Sequence, residues 1–88
     1  MRFTTARLCG SEALMAIPAD LLDLDVQGCI GMLENAGATM RCVESCMLQF
    51  DWNGMEVTLY PSGKVMFFPL KDKQMCIRYA TEILSKVI

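Results

Sequence analysis

Histidine is missing altogether from this 88-residue chain. With it go the commonest general base near neutral pH and the commonest metal ligand. No glycine-rich phosphate loop and no nucleophile motif stands in for it, so an enzyme is not expected. Asp20, Asp23 and Asp25 form the only carboxylate cluster, and acidic residues at a helix N-terminus are explained by the helix dipole. Basic charge is also scarce: eight Lys and Arg face ten Asp and Glu, for a net charge of −2. A pI near 4.9 argues against a nucleic-acid binder, whose affinity comes largely from neutralising phosphates. No apolar run is long enough to span a membrane, and the N-terminus lacks the apolar core and small-residue cleavage site of a signal peptide. The cytoplasm is the compartment these absences suit.

Cysteine is present, but without a metal-site pattern. There are five, an odd number, and none are spaced Cys-x-x-Cys; the closest pair is Cys42 and Cys46. Reduced thiols fit this better than a closed disulfide framework. Together with eight methionines they make a copper(I) site conceivable. On a regular strand, however, Cys42 and Cys46 share the parity of Leu48, Phe50 and Trp52, and burial in the core is the simpler expectation. No cofactor is expected.

What the chain does have is apolar material, 53% of its residues against 20% charged. At this length it makes one domain, residues 1–88, with a modest core that oligomerisation would help. Residues 1–23 read as one strand or a hairpin around Gly10-Ser11, ended by Pro18. Val26, Cys29, Ile30 and Leu33 recur at helical spacing, with Asp20, Asp23 or Asp25 as the cap and Asn35-Ala36-Gly37 as the stop. Asn53-Gly54 signals a two-residue hairpin. It sets Trp52 opposite Met55, Phe50 opposite Val57 and Leu48 opposite Leu59, all apolar. Pro61-Ser62-Gly63 signals a second turn, setting Leu59 opposite Val65 and Val57 opposite Phe67. Two separate turns thus predict one continuous apolar face on an antiparallel meander. After Lys71 the period becomes helical, with Asp72 as cap and Cys76, Ala80, Ile83 and Val87 on one stripe.

These elements predict an α+β fold, an antiparallel sheet of four to six strands with two helices packed on one face. The same register puts Met47, Gln49, Asp51, Glu56, Thr58, Tyr60, Lys64, Met66 and Phe68 on the other face, with Leu70 at its end. Met47 is expected opposite Tyr60, Thr58 opposite Met66 and Glu56 opposite Phe68. An apolar patch of this kind marks an interface. The candidate interaction face is Met47, Gln49, Thr58, Tyr60, Lys64, Met66 and Phe68. Three coverings are open to it: a second copy of the chain, a nucleic acid, or the chain's own N-terminal segment.

The stretch Tyr60-Pro61-Ser62-Gly63-Lys64-Val65-Met66-Phe67-Phe68-Pro69-Leu70-Lys71, followed by a helical tail, resembles a repeat of the TATA-box-binding protein family. There the pattern is Phe-x-Ser-Gly-Lys, a short strand, Gly-Ala-Lys and a long helix. Asn35-Ala36 falls where that family commonly ends its first helix with Asn-Ala, and the likeness runs from Leu24 to Ile88. The resemblance implies a curved antiparallel sheet with two helices on its convex side. It also implies a concave face that, in a pair of repeats, presses into a DNA minor groove. Tyr60 matches a wedge position, Met66 and Phe68 match groove-facing strand positions, and Lys64 matches a lysine near the phosphates. The chain departs from the pattern at Val43, which stands at the second wedge position. It departs again at Cys42, Gln49 and Gly54, where the family carries basic residues, and Asp51 and Glu56 add negative charge. One repeat alone would need a dimer to form the saddle. The reading is therefore an interaction module that self-associates through its open sheet face or an edge strand, a homo-oligomer or a partner of another protein. Nucleic-acid binding through Tyr60, Met66 and Phe68, with Lys64, Lys71 and Lys73 on phosphate, is the alternative. Soft-metal binding comes last.

Overall fold

The computed structural model describes residues 2–7 and 12–87. Six strands form one antiparallel sheet: β1 (Phe3–Arg7), β2 (Leu14–Pro18), β3 (Thr39–Val43), β4 (Leu48–Trp52), β5 (Met55–Leu59) and β6 (Val65–Phe68). Their order across the sheet is β1-β2-β6-β5-β4-β3. A 3-10 turn, Gln27–Cys29, leads into the short helix α1 (Ile30–Asn35), and α2 (Lys73–Val87) closes the described chain. The fold is α+β, as expected.

Turn chemistry sets the register. Asn53 and Gly54 both have positive φ, 51° and 76°, which the two-residue turn demands, and β4 pairs with β5 from Trp52↔Met55 to Leu48↔Leu59. At the next turn Gly63 has φ 93° and donates its N–H to the Tyr60 carbonyl at 3.0 Å, while Tyr60 N–H reaches the Lys64 carbonyl at 3.0 Å. The predicted pairs Leu59↔Val65 and Val57↔Phe67 follow. Among the described residues of the first 23 there are two strands, not one: β1 pairs antiparallel with β2, and β2 pairs with β6 through Leu14↔Phe67 and Ala16↔Val65. The Gly10-Ser11 link lies outside the described residues.

Both helices cover one face of this sheet. Leu14, Ala16, Leu48, Phe50, Val57, Leu59, Val65 and Phe67 are buried in one cluster with Leu33 of α1 and with Cys76, Ala80, Ile83 and Leu84 of α2. Tyr79 of α2 sits edge-on to Trp52, ring centroids 5.3 Å apart, and tilted against Phe67 at 5.9 Å. Offset and edge contacts of this sort suit the ring quadrupole. Asp72 caps α2, its Oδ1 accepting from Gln74 N–H at 2.9 Å and Met75 N–H at 3.3 Å. None of the three aspartates expected to cap the first helical segment holds the cap position, which is Val26 with no side-chain cap bond; Asp25, one residue earlier, accepts from Gly28 N–H at 3.3 Å. No helix among the described residues is long and apolar enough to cross a membrane.

Candidate interaction face

The face turned away from the helices is built in rows running across the strands. One row passes through Ala6, Met15, Met66, Thr58, Gln49 and Cys42, one residue from each of six strands. A second holds Phe68, Glu56, Asp51 and Thr39. On the other side of the first row, Ile17 pairs with Thr4, and Tyr60 and Lys64 close the β5–β6 turn. Residues of β2 and β6 on this face are apolar, while those toward β3 are polar.

The sequences of the strands carry the same division. β4 (Leu48-Gln49-Phe50-Asp51-Trp52) alternates apolar and polar, as a strand with one wet face should. β2 (Leu14-Met15-Ala16-Ile17-Pro18) and β6 (Val65-Met66-Phe67-Phe68) do not alternate at all. Strands that are apolar on both sides are those covered on both sides. These two are neighbours in the sheet, so their surplus apolar residues merge into one patch of Met15, Ile17, Met66 and Phe68, with Tyr60 beside it. Phe68 is 40% exposed. Of the N-terminal segment, one of the patch's three possible coverings, the described strands β1 and β2 extend the sheet edgewise.

Not every predicted face residue contributes equally. Tyr60, Lys64 and Met66 are half-buried and Gln49 is exposed, all on the open face. Thr58 shares that face but is only 3% exposed, so it offers a partner little surface. Met47 is half-buried in the β3–β4 turn, its carbonyl accepting from Glu44 N–H at 3.0 Å, and the ladder stops before any Met47–Tyr60 pair. Leu70, expected at the edge of the face, packs against the core instead, its N–H bound to the Glu12 carbonyl at 2.7 Å.

The cysteine expectation also needs correction. A bulge between Met40 and Cys42 shifts the β3 register by one residue, so Cys42 opposes Gln49 on the open face. Cys46 is exposed in the turn, and both thiols lie 3.8 Å from the Glu44 carboxylate. Neither enters the core; Cys29 and Cys76 do. The described cysteines are unpaired, and no three His, Cys, Asp or Glu side chains among the described residues are grouped to hold a metal. Cys9 lies outside the described residues.

Charge on the face is sparse and mostly spoken for. Arg41, the bulged residue, forms an ion pair with Asp51 and donates Nε to its Oδ2 at 2.6 Å. That hydrogen bond, together with the Asp51 charge, raises the Arg41 pKa further. Lys71 pairs with Glu12 at 3.1 Å, and Lys73 opens α2. Lys64 and Glu56 remain as the face's opposite charges without a described ion-pair partner.

Sequence reasoning missed Met15, Ile17 and Ala6, which enlarge the patch by two strands. The signal available was the unbroken apolar run from Ala13 to Pro18, which marks a strand inside a sheet rather than at its edge. No family model, curated protein or solved structure matches the chain.

Proposed function

We propose that this chain is a small interaction module whose open sheet face pairs with the same face of a second copy. The observation that carries the reading is the pairing of β2 with β6, two neighbouring strands apolar on both faces. A face left in water would favour the polar alternation that β4 keeps on its outer side.

Size and charge support the reading. Six strands about 4.8 Å apart, each about five residues long at about 3.3 Å, present a face of roughly 29 by 17 Å. Two such faces in contact bury close to the roughly 1,000 Å² that a specific interface requires. Lys64 and Glu56 stand on adjacent strands near opposite ends of the patch. A two-fold axis running across the strands exchanges those ends, carrying each Lys64 toward its partner's Glu56. The interface is then self-complementary, as an isologous dimer must be.

The likeness of residues 24–88 to a TATA-box-binding-protein repeat belongs to the same proposal. It is supported by two helices on one sheet face and by the Ser62-Gly63-Lys64 turn between strands. Inherited DNA binding draws much less support, because Lys64 is the face's only lysine and Glu56 opposes phosphate.

Light scattering on the eluting protein tests the proposal. At about 100 μM the chain should run as a dimer, and Phe68→Asp should run as a folded monomer. A wild-type monomer at about 500 μM would overturn pairing. Fluorescence anisotropy with labelled single- and double-stranded DNA and RNA gives the competing outcome. Salt-sensitive binding that is lost in the Tyr60→Ala/Phe68→Ala double variant would put nucleic acid in the second copy's place.

A further inference from the structure

At one end of the open face the β5–β6 turn borders a hollow of about 500 Å³, lined by Met15, Tyr60, Pro61, Ser62 and Lys64. That volume lies within the range of small-molecule sites, roughly 300–1,000 Å³. Met15 and Pro61 give it apolar lining. Three of its lining residues carry polar groups: the Lys64 ammonium and the Tyr60 and Ser62 hydroxyls. None of the three side chains has a hydrogen bond or ion pair with a described residue, although Tyr60, Ser62 and Lys64 are all half-buried.

The wall is held rigidly from behind. Leu22 N–H donates to the Ser62 carbonyl and Leu24 N–H to the Pro61 carbonyl, each at 2.8 Å. Gly63 is buried against Pro18 and Leu22, so closely that a Cβ there would lie 3.0 Å from Leu22 Cδ1 and 3.1 Å from Pro18 Cγ. With the two turn hydrogen bonds already described, the backbone of residues 60–64 is fixed before any ligand arrives. Such preorganisation is what makes a pocket bind with little ordering cost.

We infer that this hollow is a binding site for a small amphiphilic monoanion, a carboxylate carried on an apolar body. The carboxylate takes charge-assisted hydrogen bonds from Lys64, with Tyr60 and Ser62 as further donors. The apolar body lies along Met15 and Pro61 toward Ile17 and Met66. A single cation and an apolar lining select one negative charge rather than the many of a polyphosphate or nucleic acid. The site needs no second copy, but it shares Lys64 and Met15 with the face proposed above to pair, so pairing competes with the ligand.

Titration calorimetry with decanoate tests it, run on the full chain and on Phe68→Asp, a residue outside the hollow that separates ligand binding from pairing. Decanoate should bind Phe68→Asp with one site per chain and the paired wild type more weakly; in the Phe68→Asp background Lys64→Met should weaken binding at least about tenfold, and Lys64→Arg should retain most of the affinity. Decanol, which has the same body without the charge, should bind at least about tenfold more weakly. No heat of binding to Phe68→Asp with decanoate at about 1 mM would overturn the assignment. So would equal affinity in Lys64→Met, or equal affinity for decanol.

Discussion

Phe67 and Phe68 are chemically identical neighbours in β6, yet one is fully buried and the other 40% exposed. Strand geometry alone separates them, since consecutive side chains point to opposite faces. Phe67 meets Leu14, Val57 and Tyr79 under the helices. Phe68 stands beside Glu56 in the open. The same division splits β2, where Leu14 and Ala16 are buried in the core and Met15 and Ile17 face outward. The two faces are therefore equally apolar in this part of the sheet but unequally covered. Composition does not distinguish a core from an interface; the presence of a packed layer does.

That contrast makes the largest prediction. Phe67→Ala opens a void in a fully packed layer and should cost about 3–5 kcal/mol, enough to consume much of the stability of a domain this small. Phe68→Ala removes the same atoms from the open side and should change the monomer's stability by no more than about 0.5 kcal/mol. Urea unfolding at low micromolar concentration, where pairing does not contribute, measures both. A loss above about 2 kcal/mol from Phe68→Ala would mean that the outer face is already packed within one chain, and the contrast would collapse.

Which residues fall on which face was legible from Leu48 to Phe68, because two turns with strict backbone demands bracket β5. Asn53-Gly54 and Pro61-Ser62-Gly63 each admit one register, and the two agree. Helix α2 was legible for a similar reason, its cap at Asp72 and its apolar spacing pointing the same way. Beyond these brackets the pattern carried less. The bulge at Arg41 is a one-residue shift with no glycine to announce it, and it moved Cys42 to the other face. Leu70 lies past the end of β6, where period-two counting no longer applies. The placement of β2 beside β6 is a contact between residues far apart in sequence, which no local signal encodes. Half of the apolar patch was invisible for that reason.

The turn that sends Phe67 inward and Phe68 outward offers a second, smaller test. Gly63 and Gly54 both have positive φ, 93° and 76°, but their surroundings differ. A Cβ at Gly63 meets Leu22 and Pro18 at 3.0–3.2 Å, whereas none lies within 4 Å at Gly54. Gly54→Ala should therefore cost about 1 kcal/mol from backbone strain alone. Gly63→Ala adds the crowding and should cost about 2–3 kcal/mol. Decanoate binding should weaken in Gly63→Ala and stay unchanged in Gly54→Ala, because only the first turn walls the hollow. Equal stability losses would show that Leu22 gives way freely, and the wall would then be less rigid than its hydrogen bonds imply.

The smallest effect concerns how dry the seam between helix and sheet is. Cys76 of α2 has no exposed surface, and desolvation pushes its thiol up to about 11 from an ordinary value of 9.0. Below pH 9 folded and unfolded chains both keep this proton, so stability is indifferent to it. Between 9 and 11 the unfolded chain releases the proton that the folded chain still holds, and stability falls as pH rises. The loss should be on the order of 1–2 kcal/mol between pH 8 and 10.5. The measurement is a difference: urea midpoints of wild type against Cys76→Ala at both pH values. Wild type should lose more than the variant, whose buried side chain has no proton to release. Parallel losses would mean that water reaches the thiol beneath α2. The covered face would then be wetter than its packing suggests, and the line between core and interface in this sheet would be one of degree.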